Sequence, residues 1–326
     1  MKIMQIPLWE KNQYNYHTEI GFVPQITTYL LEGSSPRPAV LIAPGGGYVN
    51  CSPREGEPVA MKFMAMGYHA IVLTYTVNPF GLGETLGLQP LRDIARAMIL
   101  IRKNAEAWKI KPDGVAVCGF SAGGHLVGSL ATLWNKEFLQ DICGAKEFSA
   151  KPDAAIISYA ILAGEHIATD PIINDLGTNI PELLALEKHI GAHTPPTFLW
   201  HTITDTRVPV EHSMIFAGEL RKNNIPFEMH LFCEGAHGVS TADDEIIRYG
   251  HDEMSPTLLQ IRKFIEYNIK IGNKDMVARS VRIGDANSWD EWAKLAYEDA
   301  GTTHNAPHLN DWIELCEHWL AKVFGG

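Results

Sequence analysis

The stretch Gly119-Phe120-Ser121-Ala122-Gly123 sets one serine in the pattern G-x-S-x-G, straight after the apolar run Gly114-Val115-Ala116-Val117-Cys118. That run reads as a buried strand, and His125 to Trp134 reads as a helix. The serine therefore falls on a strand-to-helix turn whose small neighbours let the two elements approach closely. A turn that sharp strains the serine's backbone and leaves its hydroxyl projecting from the top of a sheet. The five residues alone are also compatible with an ordinary glycine-rich turn. A hydroxyl is a weak nucleophile, so the chemical reading requires a base within hydrogen-bond reach and an acid that orients the base.

Fourteen histidines compete for the base, and each is judged by its setting. His237 lies in Glu234-Gly235-Ala236-His237-Gly238, just past a predicted strand, where the glycines free the loop to adopt unusual backbone angles. His69, His201 and His230 fall inside predicted strands, His318 inside a predicted helix, and His125 on the helix after the serine. His189 and His193 are four residues apart, but no third ligand accompanies them, so the spacing indicates no metal site. In a hydrolase of this kind the acid precedes the histidine in the chain. Asp205 directly follows a predicted strand, and one helix and one strand fit between it and His237. It could instead serve only an Asx turn or the N-cap region of the next helix, and Glu211 and Glu234 are rivals for the acid.

Acyl transfer also needs donors for a developing oxyanion. Pro44-Gly45-Gly46-Gly47-Tyr48 follows the apolar run Pro38 to Ala43, and its glycines let backbone N–H groups turn towards a ligand. The N–H of Ala122, next after the serine, would complete the hole. Tyr48 could narrow an acyl pocket beside it. Neither G-x-x-x-x-G-K-[ST] nor G-x-G-x-x-G occurs around the cluster, so it does not read as a phosphate loop.

These residues need a frame. Short apolar runs at Ile26–Leu31, Pro38–Ala43, Tyr68–Tyr75, Asp153–Tyr159, Thr197–His201 and Phe227–Phe232 predict strands beside the one at Gly114. Helices are predicted near Pro58–Met66, over Leu91–Trp108, after the serine, and over Pro209–Lys222. Strands alternating with helices predict a mostly parallel sheet covered on both faces, with the strands' C-terminal ends and the site along one edge.

The composition is that of a globular chain: 326 residues, 46% hydrophobic and 20% charged. A formal net charge of −11 disfavours nucleic acid and anionic membrane surfaces, which require a basic patch. The five cysteines are scattered and form no C-x-x-C, which reads as free thiols in a reducing compartment. The start lacks a signal-like apolar region, and no stretch reaches transmembrane length. Together these features predict a cytoplasmic protein.

Taken jointly, P-G-G-G-Y, P-R-E-G-E-P-V-A, G-F-S-A-G-G-H-L, D-T-R-V-P-V-E-H-S and E-G-A-H-G resemble the bacterial acetylxylan-esterase-like branch of the α/β-hydrolases, relatives of the hormone-sensitive-lipase group. The resemblance runs from about Ile6 to Val239 and resumes around Trp312 to Leu320. It implies Ser121 as nucleophile, His237 as general base, Asp205 as orienting acid, and Gly46, Gly47 and Ala122 as oxyanion donors. It also implies short acyl esters, often acetyl groups on sugars or xylan fragments, and no cofactor. Two departures stand out. Thr204-Asp205 replaces the two adjacent acids frequent in that branch, and Thr241 to Ala306 separates the histidine loop from the last helix. Ser255–Asn268 and the region of Trp289 to Tyr297 predict two helices there, as a lid, an oligomer contact or an appendage.

The resulting expectation is a single α/β-hydrolase domain over 1–326 with a helical insertion over 241–306. It would act as a serine carboxylesterase on short acetyl esters, with a small acetylated carbohydrate as partner, no metal, and a possible second copy of itself. An amidase, formamidase or peptidase on the same triad is the alternative within enzymes, and a non-catalytic binder on the same fold is the alternative outside them.

Overall fold

The computed structural model describes residues 1–10, 12–16, 23–78, 85–164, 180–242, 256–273, 287–291 and 307–325. Eight strands form one sheet: β1 (Lys2–Pro7), β2 (Gln25–Leu30), β3 (Arg37–Ala43), β4 (His69–Thr74), β5 (Ile110–Phe120), β6 (Ala154–Ser158), β7 (Thr197–Thr202) and β8 (Phe227–Phe232). Their spatial order is β1-β2-β4-β3-β5-β6-β7-β8. Strand β2 runs antiparallel to both neighbours, and β3 to β8 pair in parallel. The parallel register aligns Ala43 with Gly119, Phe120 with Ser158, Ser158 with Trp200 and Thr202 with Phe232. One edge of the sheet thus collects the loops that start at Pro44, Ser121, Tyr159, Ile203 and Cys233.

Main helices are α1 (Glu57–Ala65), α2 (Gln89–Lys103), α3 (Ala122–Leu133), α4 (Glu211–Lys222), α5 (Pro256–Lys270) and α6 (Asp311–Phe324). Successive strand side chains point to opposite faces, and the core divides accordingly. Leu41, Val117, Ile157 and Leu199 pack with Ile94 and Met98 of α2, Leu126 and Leu130 of α3, and Phe216 of α4. Val40, Cys118, Ile156 and Trp200 pack with Phe63 of α1 and with Trp312, Cys316 and Trp319 of α6. Both faces are apolar, which is why the central strands read as continuous hydrophobic runs.

The structure differs from the sequence expectation in three places. Lys2–Pro7 is an edge strand, unpredicted because its alternation shows only on one half-covered face. The helix expected over Leu91–Trp108 breaks at Asn104, whose side chain donates to the carbonyl of Leu100, and a single further turn follows at Ala105–Trp108. Helix α3 begins at Ala122, three residues before the apolar periodicity does. The helix expected over Ser255–Asn268 is present as α5. Helix is also present at 289–291, but the rest of the second predicted helix and most of 241–306 lie outside the described residues.

Candidate active site

Strand β5 ends at Phe120, and the chain reverses into α3 through Ser121, which adopts φ 50° and ψ −118°. A side chain costs energy in that region, and such strain clusters at functional positions. The peptide is held from both sides, with the Ser121 N–H donating to Ser158 and its carbonyl accepting from His125 N–H. Gly123 makes the turn possible: a Cβ there would lie 2.0 Å from the Ala43 carbonyl oxygen. No repacking of a side chain relieves a clash with backbone, so α3 can approach β3 only through a glycine.

The Ser121 hydroxyl lies 2.8 Å from Nε2 of His237, and Nδ1 of the same ring lies 2.7 Å from Oδ2 of Asp205. The carboxylate can only accept, so Nδ1 carries the proton and Nε2 is left bare to accept from the serine. Asp205 is buried, and its other oxygen, Oδ1, accepts the N–H groups of Arg207 and Val208, both at 2.9 Å. The turn contacts expected of Asp205 and a hydrogen bond to His237 are therefore both present, one on each oxygen. Burial alone would raise this carboxyl. The hydrogen bonds from His201 and His237, the charge of His237 and the Val208 N–H outweigh it and hold the group well below the usual carboxylate range. Glu211 and Glu234 are exposed, and neither is hydrogen-bonded to His237.

The loop that carries His237 is fastened by threonines. Thr202 and Thr204 donate to the Gly235 carbonyl at 3.0 Å, and Gly235 N–H donates back to the Thr204 hydroxyl at 2.9 Å. Thr204, which stands where the resembled branch often has a second acid, is thus a strap for the histidine loop. On the opposite side Gly46 (φ 123°) and Gly47 (φ 61°) bend the loop after β3. A Cβ on Gly46 would meet the Asn50 carbonyl at 2.3 Å, whereas the space over Gly47 is open. Among the described residues no acceptor pairs with the N–H of Gly46, Gly47 or Ala122. Ala122 is the first residue of α3, where a helix leaves its N–H groups unsatisfied.

Tyr48 is buried, and its hydroxyl donates to Nδ1 of His125 at 2.8 Å. His125 in turn donates from Nε2 to the Leu183 carbonyl at 2.7 Å, and burial lowers its pKa. The tyrosine's polar end is therefore tied inward to α3. With Leu86, Leu91 and Leu126 it lines a small apolar recess whose walls include neither Ser121 nor His237. Among the described residues no group of three His, Cys, Asp or Glu side chains could hold a metal ion, and Nε2 of His193 is spent on the Thr132 carbonyl.

Three residues of the site were not singled out by sequence. His201 places Nε2 at 3.3 Å from Asp205 Oδ2 and 3.0 Å from the Val208 carbonyl, while Nδ1 meets the Ser213 hydroxyl at 2.8 Å. The Val208 carbonyl can only accept, so His201 Nε2 carries the proton and faces it and Asp205, and Ser213 donates to the other nitrogen. Tyr159, just past the end of β6, sets its ring edge-on to His237 with the ring centroids 5.2 Å apart. Glu55, in the P-R-E-G-E segment, is 2% exposed and accepts from Gly45 N–H. A carboxylate ten residues after Gly45 was the available signal for it; a strand-end tyrosine and an in-strand histidine carry none.

A mostly parallel sheet with covered faces and a strained serine at the end of a central strand define an α/β-hydrolase. The BD-FAE family model matches residues 29–164. A solved acetyl ester-xyloside bifunctional hydrolase from Caldicellulosiruptor lactoaceticus is 32% identical, with a TM-score of 0.65, and the match covers 82% of this chain and 96% of that one. The chain belongs to the carboxylesterase and acetylxylan-esterase-like family of α/β-hydrolases. An α/β-hydrolase enzyme from a Medee basin deep-sea metagenome library is 29% identical, with a TM-score of 0.62, covering 99% of this chain and 98% of that one. Endo-1,4-beta-xylanase B of Butyrivibrio fibrisolvens is 39% identical over 243 residues, 73% of this chain and 38% of that protein. Acetylxylan esterase of Xylanibacter ruminicola is 26% identical over 225 residues, 66% of this chain and 43% of that protein. The chain thus spans less than half the length of these two curated relatives.

Proposed function

We propose that this chain is a serine carboxylesterase that hydrolyses short acyl esters, acetyl groups on small carbohydrates above all, through an acyl-enzyme. The observation that carries the reading is the unbroken relay from the Ser121 hydroxyl through His237 to Asp205, at 2.8 and 2.7 Å. His237 takes the serine proton as Ser121 attacks the ester carbonyl, and the oxyanion meets the N–H groups of Gly46, Gly47 and Ala122. The imidazolium then protonates the leaving alcohol, and water repeats the sequence on the acyl-serine. Asp205 stays ionised throughout and stabilises the imidazolium. No step requires a cofactor. The acetyl and carbohydrate preference is supported by relatives named for acetylxylan and for acetyl ester and xyloside hydrolysis. The domain reading, one hydrolase domain with residues 241–306 inserted before α6, belongs to the same proposal.

The test is twofold. A fluorophosphonate should label the wild type at Ser121 and leave Ser121→Ala unlabelled. Acetate release from acetylated xylo-oligosaccharides, compared with nitrophenyl esters of two to eight acyl carbons, should show kcat/KM falling as the chain lengthens. Faster turnover of octanoate would sink the acetyl assignment and leave the esterase assignment standing.

A further inference from the structure

Glu55 is a buried carboxylate with no Lys, Arg or His paired to it among the described residues. Burying such a group costs free energy unless both oxygens are satisfied. They are, and by two different parts of the site. Oε2 accepts the Gly45 N–H at 2.8 Å, on the loop that carries Gly46 and Gly47. Oε1 accepts the Tyr159 hydroxyl at 2.8 Å. That hydroxyl accepts the Ser240 N–H at 3.0 Å, three residues beyond His237, and the Tyr159 ring lies edge-on to the imidazole. The Ser240 hydroxyl closes the circuit by donating to the Arg54 carbonyl at 2.7 Å.

A carboxylate only accepts, so it fixes the direction of every bond in this chain. It turns the Gly45 N–H inward, and the peptides that follow bend through two positive-φ glycines with their N–H groups left free. It also orients the Tyr159 proton towards itself, which leaves the phenol oxygen to accept from the histidine loop. We propose that Glu55 is a positioning residue for ester hydrolysis. By this inference it sets the oxyanion loop with one oxygen and, through Tyr159, the histidine loop with the other. The proposal rests on the serine-esterase reading of Ser121, Asp205 and His237.

The test is Glu55→Gln, which keeps the shape and breaks the directionality. Its amide would face either the Gly45 N–H, donor against donor, or a phenol that already accepts from Ser240. Misplaced oxyanion donors act on the transition state more than on the bound ester. A folded Glu55→Gln enzyme should therefore lose about 10- to 100-fold in kcat with KM changed by less than about threefold. Inhibition by a trifluoromethyl ketone, which forms a serine-bound oxyanion, should weaken by a similar factor. Wild-type kcat in the folded variant overturns the proposal, and so does a raised KM with unchanged kcat. If Glu55→Gln does not fold, Tyr159→Phe decides: a fall of about 3- to 10-fold in kcat is expected, and wild-type kcat overturns the proposal. Fluorophosphonate labelling of the wild type separates the two layers. An unlabelled Ser121 removes the esterase reading and this proposal with it, whereas a labelled Ser121 with a Glu55-independent kcat removes this proposal alone.

Discussion

Asp205 divides its oxygens between a turn and an imidazole, so one substitution can separate chemistry from architecture. Asp205→Asn retains an oxygen for the N–H groups of Arg207 and Val208 but presents an amide to His237, which favours the wrong tautomer. We expect kcat to fall by up to about 10⁴-fold, with Ser121→Ala and His237→Ala each losing at least as much, because the three act as a unit. Similar esterase rates for Asp205→Asn and wild type would move the acid elsewhere. The same carboxyl carries a pH signature. Its folded pKa is depressed, so its contribution to stability is fully present above the ordinary Asp value of about 4 and is lost as pH falls through the folded value. The stability gap between wild type and Asp205→Asn should therefore hold from about pH 7 to 5 and shrink below about pH 4. Urea unfolding at both ends of that range measures it, and a gap that widens on acidification contradicts a depressed carboxyl.

The contact between α3 and β3 sets the height of Ser121 above the sheet. Gly123→Ala would push a methyl into the carbonyls of Ala43 and Pro44, so it should prevent soluble expression or lower thermal stability sharply. Gly47→Ala has open space around its Cβ but a φ of 61°, so it should cost only about 1–2 kcal/mol. Paired melting curves check the contrast, and equal losses in the two variants would mean that the turn can open. Such elements were legible in the sequence because both faces of the sheet are covered: β3, β5 and β7 are apolar runs bounded by glycine or proline. Ser121, Asp205 and His237 were legible for a related reason, since each follows a strand on a short loop. What escaped were partners set by three-dimensional neighbourhood. Glu55 reaches Tyr159 across 104 residues of chain, and no local period encodes such a meeting. His201 read as an ordinary strand residue because its role depends on which way one imidazole nitrogen points.

Across the whole molecule, α6 closes the face of the sheet beneath the histidine loop. Trp312 stacks on Trp200 of β7 at 5.1 Å and donates its indole N–H to the Ser240 carbonyl at 3.0 Å. Trp312→Ala should thus cost about 3–5 kcal/mol and lower Tm by roughly 5 °C or more. It should also reduce kcat at temperatures where the protein is still folded, because the anchor of the Glu55–Tyr159–Ser240 circuit is gone. A large Tm loss with wild-type kcat would separate the helix from the site. The order of these parts along the chain also bears on biogenesis. Ribosomes make the elbow serine well before the aspartate, the histidine and the tryptophan that steadies their loops. On the proposed reading a nascent chain would carry its nucleophile before its base, and the histidine loop would gain its Trp312 brace only when α6 docks. Proteolytic loss of that helix would, on the same reading, remove the brace without touching a reacting atom.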